Sequence, residues 1–313
     1  MSKHLRICLF ALLGTLLAST SLLAQGVITM TTSMAVGEEI YLGIKANGNV
    51  TIKGAQGTGK TDNLGRKSYR LKSRTVTIRG DVTELDCPLN RLTSLDVSKN
   101  TALTELDCDY NQLTRLDVSK NTALTKLGCR DNQLTSLDVS KNTALTELNC
   151  SKNQLTSLDV SKNTALTDLD CSYNQQTSLD MSKNTALTRL LCFKNQLTSL
   201  DLSKNTALTL LDCSGNQLTS LDLSKKTALR KLYCFDNQLT NLNVSGCISL
   251  WNLECYRNRI NGKAMTKLVN SLPNRRGKSS STISLVSISE GDRNRCSAAD
   301  VTIARKKNWV VEQ

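Results

Sequence analysis

The chain has 313 residues, of which 39% are hydrophobic and only 4% aromatic, and its formal net charge is +13 at pH 7. This length allows one or two domains, but any core must be built mainly from leucine, valine, isoleucine and cysteine. His4, the one histidine, falls in a segment that we expect to be removed. The mature chain then lacks histidine for nucleophilic, acid–base or metal chemistry, so we expect neither an enzyme nor a cofactor.

Residues 1–24 have the pattern of a secretory signal peptide. A basic start with Lys3 and Arg6 leads into the apolar run 7–18, and small residues follow up to Ala24. The apolar run is shorter than a membrane-spanning helix requires. We therefore expect cleavage near Ala24 and a secreted or cell-surface protein without a transmembrane span in the mature chain. An uncleaved N-terminal anchor is the alternative.

Residues 25–81 alternate between apolar and polar positions over short runs, which predicts a β-rich N-terminal cap. The predicted strands are 28–31, 39–44, 50–53 and 75–78.

Residues 54–61 of this segment read Gly-Ala-Gln-Gly-Thr-Gly-Lys-Thr and match the nucleotide-binding P-loop pattern. A working P-loop opens a helix whose N-terminal amides hold the phosphates, whereas more β-type sequence follows here. We predict a glycine-rich hairpin loop and no bound nucleotide.

Residues 82–258 contain an internal repeat. Nine cysteines occur at intervals of 21 residues, namely Cys87, Cys108, Cys129, Cys150, Cys171, Cys192, Cys213, Cys234 and Cys255. Around them the sequence approximates LTxLxCxxNQLTSLDVSKNTA, a leucine-rich-repeat pattern with cysteine in the third apolar position. It predicts an α/β-type leucine-rich-repeat solenoid of nine repeats, the last one partial. Its curved parallel sheet would be joined by short irregular convex segments.

Alternation within one repeat predicts a strand at 105–109, with Leu106 and Cys108 pointing inward. Glu105, Asp107 and Asp109 are expected to point outward. The cysteine column could hold zinc, form disulfides or pack as small apolar side chains. Thiols on successive strands point in parallel and do not converge tetrahedrally. We therefore favour a buried column of free cysteines.

An asparagine also recurs in every repeat, as at Asn111, Asn132 and Asn153. We interpret this column as a structural ladder whose side chains satisfy backbone groups where the chain leaves the sheet. Gln176 replaces the leucine of a neighbouring column, and we expect it to be exposed or strained.

The positive charge is unevenly distributed along the sequence. Residues 82–258 hold 18 basic and 19 acidic residues, so the repeat face is expected to be neutral, and the excess lies in the two flanking segments. A nucleic-acid partner is not expected, because such a protein concentrates basic residues along one face.

Residues 259–313 predict a small α/β C-terminal cap. Its elements are expected at 263–272 (helix), 283–289 (strand), 298–307 (helix) and 309–311 (strand). Cys247 and Cys296 lie outside the ladder and either form a disulfide that joins the last repeat to this cap or stay free.

Six of the few aromatic side chains occupy outward positions at or just after the predicted strands. They are Tyr110, Tyr173, Phe193, Tyr233, Phe235 and Tyr256. Aromatic residues also simply suit strands, but rigid rings on an open sheet are typical of binding hot spots. We predict that these residues bind a partner on the concave face. The hot spot is expected on Leu191, Phe193, Leu210, Tyr233, Phe235 and Tyr256.

The repeats resemble those of the internalin family of bacterial surface proteins, and within it the cysteine-ladder, internalin J-type subgroup. The resemblance covers residues 82–258. It implies a curved solenoid whose concave face binds a protein or glycoprotein on a host or neighbouring cell. A self-associating structural protein of the envelope or a biofilm is the alternative function.

Overall fold

The structure is a computed structural model that describes residues 26–279, 281–287 and 291–312. The expected signal peptide at 1–24 lies outside these residues. Within the described part of the chain, no helix is both long enough and apolar enough to cross a membrane.

Six strands precede the repeats. They are β1 (Val27–Thr32), β2 (Glu39–Ala46), β3 (Thr51–Lys53), β4 (Ala55–Thr61), β5 (Lys67–Leu71) and β6 (Thr75–Arg79). Strands β2, β5 and β4 extend one edge of the main sheet, and β3, β6 and β1 form a second antiparallel sheet. Ile28, Met30, Val76 and Ile78 of that second sheet are buried in the same hydrophobic core as Ile40 of the main sheet. Two layers of strands therefore cover the N-terminal end of the repeats.

The predicted loop at 54–61 is wrong, because residues 55–61 form the edge strand β4. Backbone pairing with β5 puts Ala55 opposite Leu71 and Gln56 opposite Arg70. The turn follows only at Asp62, whose carboxylate accepts the backbone N–H groups of Leu64 and Arg66. Glycines in this segment hid the strand from the sequence pattern, because they add no side chain to the apolar–polar alternation. Their backbone groups still form hydrogen bonds with the neighbouring strand at the edge of the sheet.

The repeats form a parallel sheet with one strand each. The strands are β7 (Val82–Asp86), β9 (Glu105–Asp107), β10 (Lys126–Gly128), β11 (Glu147–Asn149), β12 (Asp168–Asp170), β13 (Arg189–Leu191), β14 (Leu210–Asp212), β15 (Lys231–Tyr233) and β16 (Asn252–Glu254). Each residue pairs with its equivalent in the next repeat, as Leu106 does with Leu127. An additional strand, β8 (Leu92–Asp96), lies on the opposite side of the first repeat and pairs with β1.

The core is the stack of inward leucines and cysteines that the repeat predicts. Leu106, Leu148 and Leu190 are at most 2% exposed, and all nine ladder cysteines are fully buried and free. The column of buried free cysteines is therefore confirmed.

The predicted asparagine ladder ties successive repeats together. The side-chain amide of Asn153 donates to the carbonyls of Cys129 and Cys150, and its oxygen accepts the N–H of Leu134. Each turn just before this column contains a left-handed residue, such as Tyr110 at φ 54° or Lys152 at φ 52°. The ladder bonds help to offset that backbone strain.

A second asparagine ladder, which the sequence analysis did not identify, runs along the opposite turn. Its members are Asn100, Asn121, Asn142, Asn163, Asn184 and Asn205, all fully buried. The amide of Asn163 donates to the carbonyls of Val139 and Asn142. Lys226 takes the next position and donates its Nζ to the Leu202 carbonyl over 2.7 Å.

Gln176, which we expected to be either exposed or strained, is not exposed. Its side chain is fully buried, and neither its Nε2 nor its Oε1 has a hydrogen-bond partner. The strain at this position is therefore the free-energy cost of burying unpaired polar atoms in a leucine-lined core.

The C-terminal segment continues the parallel sheet. It contains α1 (Lys263–Ser271), β17 (Ser281–Ser284), α2 (Ala298–Lys306) and β18 (Trp309–Glu312). The predicted strand at 283–289 is misplaced, because β17 starts at Ser281 and ends at Ser284; residues 288–290 lie outside the described residues. Strand β17 pairs with β16, and β18 pairs with β17.

The disulfide considered between Cys247 and Cys296 is not formed, and both residues are free. Cys247 occupies the second-ladder position after Lys226, and its thiol faces the Leu223 carbonyl. The thiol of Cys296 faces its neighbouring Ser297 carbonyl. The fully buried Asn294 helps to join the last repeat to the cap, because it accepts the Ile260 N–H and donates to the Cys255 carbonyl.

Candidate functional site

The candidate site is the outward surface of the sheet, which we call the strand face. It consists of the first and last residues of β9–β16 and their equivalents in β7, together with the residue two positions beyond each strand. In one repeat these are Glu105, Asp107 and Asp109, which are half-buried between fully buried Leu106 and Cys108. A depression of about 470 Å³ lies over strands β7 to β13 and is lined by such outward side chains.

The structure arranges four of the predicted aromatic residues into two ring pairs. Phe193, Phe235 and Tyr256 belong to the strand face, and Tyr173 lies one position beyond it. Phe235 and Tyr256 stack with ring centroids 4.6 Å apart and planes 8° from parallel. Tyr173 and Phe193 meet edge to face, with centroids 5.1 Å apart. Both geometries are favoured by the ring quadrupoles. The 21-residue register places the equivalent residues Phe235 and Tyr256 side by side on adjacent repeats. Tyr173 and Phe193 are 20 positions apart and belong to neighbouring columns, and the backbone N–H of Tyr173 donates to the Phe193 carbonyl.

The remaining predicted residues lie around these pairs. Leu191, Leu210 and Tyr233 are partly exposed strand residues, and burial raises the pKa of the Tyr233 hydroxyl. Tyr110, at the other end of the array, lies under the guanidinium of Arg130, whose central carbon is 5.1 Å from the ring centroid. Phe193, Tyr233, Phe235 and Tyr256 thus share the C-terminal half of the face, whereas Tyr110 lies apart from them.

The prediction of a neutral repeat face is wrong. The strand face carries ten acidic and four basic residues, whereas the rest of 82–258 carries nine acidic and fourteen basic residues. The middle column, which contains the last residue of each strand, includes five carboxylates and no basic residue. They belong to Asp86, Asp107, Asp170, Asp212 and Glu254. Total charge hid this asymmetry because the exposed turns carry the compensating lysines.

Several of these carboxylates are held in surroundings that disfavour their charge. Burial and then repulsion from Asp107 raise the pKa of Asp109 to about 7. Burial likewise raises the pKa of Asp107 and of Asp212. Four other acids of the face have an ion-pair partner within 4.0 Å, such as Asp168 with Arg189 at 2.8 Å.

The acidic residues do not converge on a point. Among the described residues, no group of three or more histidine, cysteine, aspartate or glutamate side chains is arranged to hold a metal ion. The outward side chains instead form columns, with neighbouring strands about 4.8 Å apart. Such a surface presents many spaced contacts to a large ligand.

Comparison with known proteins finds a relative of substantial identity. No protein-family profile matches the chain, and no curated protein sequence does either. The functional domain of InlJ from Listeria monocytogenes, which includes a cysteine ladder, is 38% identical with a TM-score of 0.64. The match covers 76% of this chain and 50% of that chain, so the protein spans half the length of the InlJ domain.

Two more distant structures share the fold. A leucine-rich-repeat protein of Leptospira interrogans is 22% identical with a TM-score of 0.52, covering 72% of this chain and 71% of that one. The ectodomain of the plant receptor kinase GASSHO1/SCHENGEN3 from Arabidopsis thaliana was solved in complex with Casparian strip integrity factor 2. It is 24% identical with a TM-score of 0.51, covering 60% of this chain and 25% of that one. The 21-residue repeats, the buried cysteine column and the similarity to InlJ identify the chain as an internalin-like leucine-rich-repeat solenoid of the cysteine-ladder type.

Proposed function

We propose that this protein is an exported binding protein whose strand face recognises a protein or glycoprotein on the surface of a host or neighbouring cell. The observation that carries the proposal is the pairing of aromatic rings on an open sheet, above all the stack of Phe235 on Tyr256. In a chain with 4% aromatic residues, these rings lie on the outward surface rather than in the core.

Ring pairs of this kind suit recognition for energetic reasons. An aromatic side chain presents a large apolar area and loses little conformational entropy on binding, because only two side-chain torsions must be fixed. Phe193, Phe235 and Tyr256 are half-buried, so the sheet already orients them before a ligand arrives. The likeness to InlJ supports the proposal.

Catalysis is the less supported alternative. A catalytic site needs a nucleophile or acid–base pair that converges on one reacting atom, whereas the titratable groups of the strand face are spread along columns. The ladder thiols are buried, and burial raises their pKa, which suppresses thiolate formation. Groups that are spread along columns suit binding over an extended surface.

The test is a binding assay with the mature chain on immobilised mucin, on host-cell glycoproteins and on the surface of the producing cell. We expect saturable binding to at least one of them, reduced at least tenfold in the triple variant F193A/F235A/Y256A. The matched control is V36A/L64A/I248A, which removes three exposed apolar side chains outside the strand face. Equal binding by wild type and the aromatic variant would contradict the proposal.

Self-association is the competing function, and it has its own structural basis. Strands β4 and β18 end the main sheet on either side, and an open strand edge is able to pair with another chain. Light scattering over a dilution series separates the two functions. A strict monomer across the series supports ligand binding, whereas concentration-dependent growth of particles supports assembly.

A further inference from the structure

We propose that the ligand of the strand face is an extended polypeptide segment rich in lysine or arginine, bound along the middle column of carboxylates. The inference rests on the proposed function, since it specifies the chemistry of the partner for the same surface. The column places Asp107, Asp170, Asp212 and Glu254 on one line across the sheet, in a protein whose formal net charge is +13.

The fold does not require the charge of these residues. The carboxylates of Asp170 and Asp212 each accept the N–H and the hydroxyl of the serine two positions later. Asn149 makes the same two bonds to Ser151 with a neutral amide, and Gly128 occupies the column with no side chain at all. An amide therefore serves the turn as well as a carboxylate.

The carboxylates also lack internal neutralisation. No basic side chain of residues 26–279, 281–287 or 291–312 forms an ion pair within 4.0 Å with Asp107, Asp170, Asp212 or Glu254. Like charges along the column repel one another, as Asp170 and Asp212 do, and half-burial weakens their hydration. A cation on the face removes both penalties, which makes a basic partner the complementary one.

The aromatic residues also favour a basic partner, in the C-terminal half of the face. Tyr233 lies in register between Asp212 on one neighbouring strand and Glu254 on the other. A carboxylate beside a ring face combines ion pairing with cation–π attraction, the combination that holds ammonium and guanidinium groups. Lysine and arginine side chains therefore suit both halves of the column.

The register sets the spacing of the basic residues. Asp107 and Asp170 are three strands apart, and the steps to Asp212 and to Glu254 are two strands each. At about 4.8 Å per strand and about 3.3 Å per residue of extended chain, these steps correspond to about four, three and three residues. A segment that crosses the strands with cations at positions 1, 5, 8 and 11 matches the column.

The experiment uses a fluorescent 12-residue peptide with lysine at those four positions and glycine, serine and glutamine elsewhere, titrated with the full mature chain. We expect saturable binding that weakens at least tenfold when salt rises from about 0.05 M to about 0.5 M, since screening shortens the reach of the charges. The variant D107N/D170N/D212N/E254Q is expected to bind at least tenfold more weakly. Its control, D117N/D138N/D159N/D180N, removes the same charge from exposed turns and should change the affinity less than twofold.

Three results would overturn the inference. They are no binding of the peptide, equal loss in both sets of variants, and equal binding of a peptide whose lysines are acetylated. Salt-dependent self-association that only the strand-face set abolishes, without binding of the peptide, would assign the column to a second copy instead. If the peptide fails while surface binding still depends on Phe193, Phe235 and Tyr256, the proposed function stands and only the basic partner is refuted.

Discussion

Phe235 stacks on Tyr256 although the two residues are 21 positions apart in the sequence. Each follows a ladder cysteine directly, Cys234 and Cys255, so the parallel register places one ring above the next at 4.6 Å. One face of each ring is thereby covered by its partner. The pair acts as a single preformed surface rather than as two independent side chains.

The stack predicts a measurable coupling between the two rings. In a double-mutant cycle of F235A, Y256A and the double variant, we expect a coupling free energy of about 0.5–1.5 kcal/mol. Urea unfolding followed by circular dichroism measures it. The pair Phe193 and Tyr256, which is not in contact, serves as the reference and should be additive. Additive effects for Phe235 and Tyr256 would contradict the stacked arrangement.

Gln176 predicts a gain of stability on substitution. Leucine occupies the equivalent position in other repeats, at Leu155 and Leu197, whereas Gln176 buries an amide with no hydrogen-bond partner. Q176L removes that penalty, so we expect the free energy of unfolding to rise by about 1–3 kcal/mol. The exposed neighbour Gln175 provides the control, because Q175L should change it by less than about 0.5 kcal/mol. No gain in the urea midpoint for Q176L would show that its amide is satisfied.

The repeat pattern was sufficient to predict the sheet, its register and the first asparagine ladder. It could not distinguish the roles of the Asn111 column and the Asn100 column, because both recur every 21 residues with equal regularity. Only the backbone shows that Asn100 is buried and bonded to Val82 on the far side of the solenoid. Asn294 was not predicted because it does not follow the 21-residue repeat, although its side chain joins the ladder.

The candidate site was predicted in part for similar reasons. Alternation identifies which side chains face outward, so the aromatic residues were found. Their pairing depends on side-chain rotamers that the sequence does not specify. The acidic column was hidden by counting charge over whole repeats, because lysines in the exposed turns, such as Lys141 and Lys162, cancel it in the sum.

The second asparagine ladder predicts that removing one of its side-chain amides lowers the stability strongly. Asn163 is fully buried and donates to two carbonyls of preceding repeats, those of Val139 and Asn142. N163A leaves both without these donors, so we expect the free energy of unfolding to fall by about 2–3 kcal/mol. The neighbouring exposed Thr164 gives the control, because T164A should cost less than about 0.5 kcal/mol. Equal urea midpoints for the two variants would refute a structural role for this column.

The cysteines predict a sharp contrast in reactivity. Burial raises the pKa of the ladder thiols and brings that of Cys247 to about 11, whereas Cys296 is only half-buried. With a maleimide at pH 7.5, we expect Cys296 to be labelled at least about 100-fold faster than Cys150 or Cys171, because only an accessible thiolate reacts. Mass spectrometry of tryptic peptides measures each site, and urea should equalise the rates. Rapid native labelling of Cys150 would show that the array opens locally.

Asp109 predicts an inverted dependence of stability on pH. Burial and then repulsion from Asp107 raise its pKa from 3.8 to about 7; repulsion from Asp170 adds to this, and the N–H and guanidinium of Arg130 oppose it. The native state therefore holds a proton that the unfolded chain has lost between about pH 4 and pH 7. Through this carboxyl, stability rises as pH falls from 8 to 5.

The variant D109N isolates that contribution, because its amide oxygen still accepts the Arg130 N–H while the charge is gone. We expect D109N to be more stable than wild type at pH 8 by about 1 kcal/mol, or about 2–4 °C in Tm, and the difference to shrink to less than half of that at pH 5. Asp138 is the control of opposite sign, since hydrogen bonds from Ser140 lower its pKa and D138N should give no gain at pH 8. Thermal unfolding at the two pH values decides the matter. A D109N gain of the same size at pH 5 and at pH 8 would mean that Asp109 is ionised in the native state at both pH values, and that burial and the surrounding carboxylates do not raise its pKa.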